Sequence, residues 1–128
     1  MNAYFELMPE PETGVEPLLK VWEELAPPIL RWARAAGKPL LFTEVGYPSV
    51  QGGLRWPWDY TRQAPVDLEA QRLGYEAFLG AWWDRPELAG VFFYELWGDG
   101  GPEDTGYTPK GKPAARVLER YYKGEGGQ

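Results

Sequence analysis

Hydrophobic positions along the 128-residue chain fall into three cycles, each a short apolar run followed by a longer segment with helical spacing. The first run, Asn2 to Met8, is closed by Pro9 and Pro11, which cannot donate into a strand ladder. Val15 to Ala36 then predicts a helix, with Leu18, Trp22, Leu25 and Ile29 on one stripe and Pro17 in its first turn. Pro27-Pro28 should kink or split that helix, and Gly37 before Pro39 should stop it. The second run, Leu40 to Tyr47, is almost continuously apolar, as in a parallel strand covered by helices. A long connection, Pro48 to Val66, follows, and connections of that length inside compact domains are often functional. Asp67 reads as the N-cap of a helix to about Asp84, with Leu68, Tyr75, Leu79 and Trp82 on one stripe and Arg85-Pro86 as its end. The third run is Ala89 to Trp97, leading into the glycine-rich, acidic loop Gly98 to Gly111. Pro113 opens a last helix with Ala114, Val117, Leu118 and Tyr121 on one face, stopped by Gly124, and the tail Gly124 to Gln128 is expected to fray.

Alternation of this kind predicts an α/β fold: three consecutive β/α units around a parallel sheet, forming one domain over residues 1–128. Three units do not close a (β/α)8 barrel, which takes eight. The helices would cover mainly one face, leaving an apolar sheet face and two edges for something else to protect.

Composition narrows the chemistry. A net charge of −6 argues against nucleic acid or an anionic membrane as partner. No apolar run nears the roughly 20 residues of a membrane-spanning helix, and no basic-then-apolar signal opens the sequence, so a soluble, cytoplasmic protein is expected. The 13 prolines and absent cysteines suit a thermophilic source. Without cysteine or histidine there is no thiolate nucleophile, no His-assisted hydrolase and no Cys- or His-ligated metal. Carboxylate, tyrosine and lysine remain, and carboxylates among aromatic walls are the working groups of glycoside hydrolysis. The 7 Trp and 8 Tyr fit that chemistry. Glu44, delivered to the end of the second strand, is the carboxylate placed where parallel α/β barrels do their chemistry. Its structural alternative is to cap a loop or to pair with Arg55 or Arg62.

Four segments carry a family likeness. They are Asn2-Ala3-Tyr4-Phe5, Phe42-Thr43-Glu44-Val45-Gly46-Tyr47, Pro65-Val66-Asp67-Leu68-Glu69-Ala70-Gln71 and Gly101-Pro102-Glu103-Asp104-Thr105-Gly106-Tyr107-Thr108-Pro109. With them the chain resembles the C-terminal part of the clan A (β/α)8 glycoside hydrolases, most closely family 113, the β-mannanase family. The resemblance implies that the three units are strands six, seven and eight of a TIM barrel. It further implies that Glu44 matches the nucleophile and Tyr4 the tyrosine beside it. The family's acid/base, an Asn-Glu pair ending strand four, has no counterpart in this sequence. Retaining glycosidases need two carboxyl groups about 5 to 5.5 Å apart. Loss of general acid assistance costs about 10²- to 10⁴-fold, so the polypeptide alone is expected to have little or no glycosidase activity.

Trp56, Trp58 and Tyr60 are candidate sugar platforms, or they pack the long loop onto the body. Tyr94 or Trp97 would supply the platform under the reacting sugar, although Tyr94-Glu95-Leu96-Trp97 departs from the tryptophan-rich pattern expected there. Glu95 reads as a strand-end charge rather than a second catalytic carboxylate. Asp99, Glu103 and Asp104 read as solvated loop charges, since their spacing lacks the alternation of a calcium loop. No metal or cofactor is expected. A β-linked oligo- or polysaccharide is the expected ligand, with self-association or a complementary upstream barrel chain covering the exposed sheet. A non-catalytic carbohydrate-binding or interaction module, a vestigial domain, and a clan A fragment specific for another sugar are the alternatives.

Overall fold

The computed structural model describes residues 1–7 and 14–125. Met8, Pro9 and Pro11, which end the first expected strand, and residues 126–128 of the tail lie outside them. The element order is α1 (Glu16–Ala36), β1 (Leu40–Val45), α2 (Leu68–Trp82), β2 (Leu88–Phe93) and α3 (Pro113–Tyr122). β1 and β2 pair in parallel, joined by the α2 crossover.

The helix boundaries follow local chemistry. Gly37 adopts the left-handed conformation that closes α1, its N–H bonding back to the helix. The Asp67 carboxylate accepts from the Ala70 N–H at 2.9 Å and caps α2. Pro113 opens α3, where its missing N–H costs nothing. Pro27-Pro28 does not split α1, which runs unbroken through both. Both prolines are exposed, as are Glu23 and Glu24 four residues earlier, whose carbonyls lose their helical donors, so the break in the hydrogen-bond ladder falls on the solvent side of α1.

The first expected strand forms only a single parallel bridge, Asn2 to Glu44. Three main-chain bonds dock this segment beside β1, from the Met1 amino group to the Leu41 carbonyl at 2.7 Å, from the Ala3 N–H to the Glu44 carbonyl at 2.8 Å and from the Thr43 N–H to the Met1 carbonyl at 2.9 Å. The apolar run is legible in the sequence, but among the described residues it makes one bridge and no ladder.

All three helices lie on one side. Trp22 of α1 meets Phe78 and Trp82 of α2, and those two rings meet Phe42 of β1, at centroid distances of 4.9 to 5.9 Å. Tyr75 and Phe78 pack on Phe93 of β2, and Tyr121 of α3 packs on Trp83. The opposite sheet face is open. Leu41 is 40% exposed and Phe92 65%. Among the described residues no helix is long and apolar enough to cross a membrane.

Candidate active site

Glu44 reaches its place through a break in strand period. Leu40 and Phe42 point into the core, so strict alternation would send Glu44 inward and Val45 out. The observed arrangement is the reverse, with Val45 fully buried and Glu44 half-buried. The register explains it, because Phe42 pairs with Val91 while Val45 pairs with Phe93, leaving two residues of β1 opposite one of β2. Such an extra residue re-aims the side chains that follow it. Here it releases a carboxylate from the core at the carboxyl end of the sheet.

Tyr4 receives that carboxylate. Its hydroxyl donates to Glu44 Oε2 at 2.9 Å. Burial, together with the Glu44 bond and charge, pushes the Tyr4 hydroxyl above the ordinary tyrosine range, so it stays protonated and remains a donor. The arrangement holds Oε2 in one orientation.

Tyr94 stands edge-on to Tyr4, with centroids 6.5 Å apart, and edge-on to Tyr107 at 5.2 Å. The peptide bond between Tyr94 and Glu95 is cis. β2 ends at Phe93, so Tyr94 and Trp97 both lie in its exit loop rather than on opposite faces of a strand. Gly46 allows the two exits to close together, since a Cβ there would sit 2.0 Å from the Tyr94 carbonyl oxygen.

The remaining expected residues divide. Trp97 and Trp58 are exposed, whereas Trp56 is half-buried with the Arg55 and Arg62 guanidinium carbons 4.7 and 4.2 Å from its ring centre. Arg62 also donates to the Gln51 carbonyl at 2.6 Å. It serves the loop that carries Trp56, not Glu44.

Sequence reasoning missed the device that fixes the two exit loops. Lys112, with no side-chain exposure, bonds Asp104 Oδ2 at 2.7 Å, Ser49 Oγ at 2.9 Å and the Gly106 carbonyl at 3.1 Å. Asp104 is thus half of an ion pair, which corrects its expected place among the solvated charges; Asp99 and Glu103 are exposed. Buried Gln71 of α2 donates to the Tyr107 carbonyl at 3.0 Å, and the Tyr107 hydroxyl donates to the Pro57 carbonyl. Gln71 and Tyr107 fall within the family-like segments, but nothing in the sequence pairs them. Ser49 and Lys112 are 63 positions apart and Pro57 and Tyr107 50.

A tyrosine-held carboxylate at the carboxyl ends of parallel strands, with the Tyr94 ring edge-on to its tyrosine, fits a glycosidase-like α/β domain. The sequence matches the model of Glycoside Hydrolase Family 113 over residues 7–112, and the chain belongs to that family. Its fold is similar to the GH113 β-mannanase AaManA from Alicyclobacillus acidocaldarius, solved in complex with ManMIm, at 35% identity and a TM-score of 0.75. The match covers 84% of this chain and 36% of that one. Two further solved structures, a GH113 β-1,4-mannanase described in complex and a GH113 β-1,4-mannanase, share the fold at 23% and 24% identity. Each has a TM-score of 0.75, with 82% of this chain and 36% of that one covered. The chain therefore spans about a third of the length of these enzymes. No curated protein sequence matches it.

Proposed function

We propose that the chain is the strand six-to-eight portion of a retaining β-mannanase barrel, with Glu44 as nucleophile and Tyr4 as the residue that orients it. The bond from the Tyr4 hydroxyl to Glu44 Oε2 carries this proposal. It fixes one carboxylate oxygen and leaves the other to attack an anomeric carbon, as a retaining mechanism requires. The second carboxyl group, the general acid, comes from the upstream part of the barrel, which also covers the open face at Leu41 and Phe92; a second copy of the chain is the alternative cover. The ligand is a β-linked mannan or manno-oligosaccharide.

The test is reconstitution. Manno-oligosaccharide hydrolysis by the chain alone is expected to be undetectable, and mixing with the upstream five-strand portion of a family 113 enzyme is expected to restore it. Glu44→Gln should remove the restored activity. Robust hydrolysis by the unmixed chain, lost in Glu44→Gln, would show that the assembly already holds a second carboxylate. Restored activity indifferent to Glu44→Gln would end the nucleophile assignment.

A further inference from the structure

The exit loop of β2 is gripped at Tyr107 in three ways. The carbonyl of Gly106, just before it, accepts from the Ser49 N–H at 3.1 Å and from Lys112 Nζ at 3.1 Å. The Tyr107 carbonyl accepts from Gln71 Nε2 at 3.0 Å, and the Tyr107 hydroxyl donates to the Pro57 carbonyl. The grips come from α2, from the exit loop of β1 and from the residue that caps α3, so backbone and ring tip are both fixed. Burial raises the Tyr107 pKa, and the hydroxyl therefore keeps its proton and remains a donor.

The ring held this way leads to the candidate nucleophile through two others. Tyr107 meets Tyr94 edge-on at 5.2 Å, and Tyr94 meets Tyr4 edge-on at 6.5 Å. Tyr4 in turn donates to Glu44 Oε2. Tyr107 is buried, whereas Tyr94 keeps 38% exposure, so the core does not enclose the middle ring. A partly exposed ring on a loop visits other rotamers unless its neighbours occupy them, and in edge-to-face packing each ring limits the swing of the next. Gly46 brings the same groups close, since a Cβ there would lie 2.0 Å from the Tyr94 carbonyl oxygen and 3.2 Å from Tyr107 Cδ1.

We infer that Tyr107 is a positioning residue for Glu44: its ring holds Tyr94, Tyr94 holds the ring of Tyr4, and Tyr4 keeps the carboxylate in one orientation. The effect on turnover rests on the proposed role of Glu44, but the tie from Tyr107 to Tyr4 does not. A reacting group that is misplaced loses rate more than affinity, so the effect belongs in kcat and not in KM.

The test has a structural arm and a kinetic one. In the chain alone, with tyrosines carrying ¹³C at Cζ, Tyr107→Leu should move the Tyr94 and Tyr4 resonances. Tyr107→Phe, which gives up the bond to Pro57 but keeps the ring, should leave them in place. Tyr121→Leu removes an equally buried tyrosine that packs on Trp83; it should lower stability without moving either resonance. Tyr94→Leu, which alters a less buried side chain, should move Tyr4 too and supplies the reading if Tyr107→Leu does not fold. A Tyr4 resonance unmoved by either leucine variant, or moved as far by Tyr107→Phe or Tyr121→Leu, would overturn the inference.

In the reconstituted enzyme, Tyr107→Leu should lower kcat about threefold to tenfold, the worth of one aromatic pair, with KM unchanged and with Tyr107→Phe at the parent value. The double variant with Tyr94→Leu should lose no more kcat than Tyr94→Leu alone, because both cut one path. Additive losses, or a fall in kcat/KM carried by KM, would overturn the positioning role. If hydrolysis is restored and needs Glu44 while Tyr107→Leu matches the parent, the positioning role is wrong and the nucleophile assignment stands. Resonances that move as expected without any restored hydrolysis would uphold the tie to Tyr4 and count against the nucleophile assignment.

Discussion

Lys112 places an ammonium group out of water, where it is tolerated only because each of its three N–H donors has an acceptor: Asp104, Ser49 and the Gly106 carbonyl. Lys112→Met removes the charge but keeps the stem, leaving Ser49 and Asp104 without their donor. Breaking a buried pair costs about 3 to 5 kcal/mol, and because the Asp104 side chain keeps 36% exposure and can rehydrate, about 2 kcal/mol is the expected loss. Urea unfolding of the two proteins measures it, and a loss within a few tenths would show that the triad is not a structural tie. None of this is legible in the sequence. Ser49 and Lys112 are 63 positions apart, and only a fold that stacks two exit loops makes them neighbours. Glu44 is legible because it ends an apolar run, and Tyr4 because its segment comes with a family pattern that implies a place beside Glu44; which carboxylate oxygen the Tyr4 hydroxyl holds comes from the three-dimensional structure.

At the level of elements, punctuation residues carry most of the information. Asp67, Gly37 and Pro113 act locally, through a cap, a left-handed turn and a fixed φ, so the sequence alone places those helix ends within a residue or two. The register shift in β1 depends instead on what β2 offers opposite it, and no spacing rule within one strand reveals that. Gly46 is where the two strands' exits come closest. Gly46→Ala would put a methyl carbon 2.0 Å from the Tyr94 backbone oxygen, a contact that side-chain rotation cannot relieve. The strands must part, at about 1 to 3 kcal/mol for an overpacked site. A lowered thermal midpoint with changed shifts at Tyr94 and Tyr4 is the expected result. An alanine variant as stable as the parent, with those shifts unmoved, would mean that the exits are not in such close contact.

For the whole molecule, apolar runs tell that both faces of the sheet seek cover, yet periodicity cannot say which body covers the second face. Helices cover one side through Trp22, Phe78 and Trp82, while Leu41 and Phe92 stay in water on the other. Because one side of the core carries the stability, the tyrosines sealed in or near it govern the response to alkali. Burial raises the pKa of Tyr47, Tyr75 and Tyr107 above the ordinary value of 10.0, and raises Tyr4 as well. Below that value these groups hold their protons in both states and stability does not depend on them. Above it the unfolded chain releases protons that the folded chain keeps, so stability falls as pH rises, by about 1.4 kcal/mol per pH unit for each such tyrosine. Urea unfolding should therefore show a free energy independent of these groups at neutral pH and falling steeply beyond about pH 10. Tyr47→Phe sharpens the test, since the Tyr47 hydroxyl is buried without a hydrogen-bond partner among the described residues and its removal should cost little at neutral pH. The variant's alkaline slope should be shallower by one tyrosine's share. An unchanged slope would mean that Tyr47 is accessible to hydroxide in the folded protein, and that its side of the core is less closed than Phe42, Phe78 and Phe93 imply.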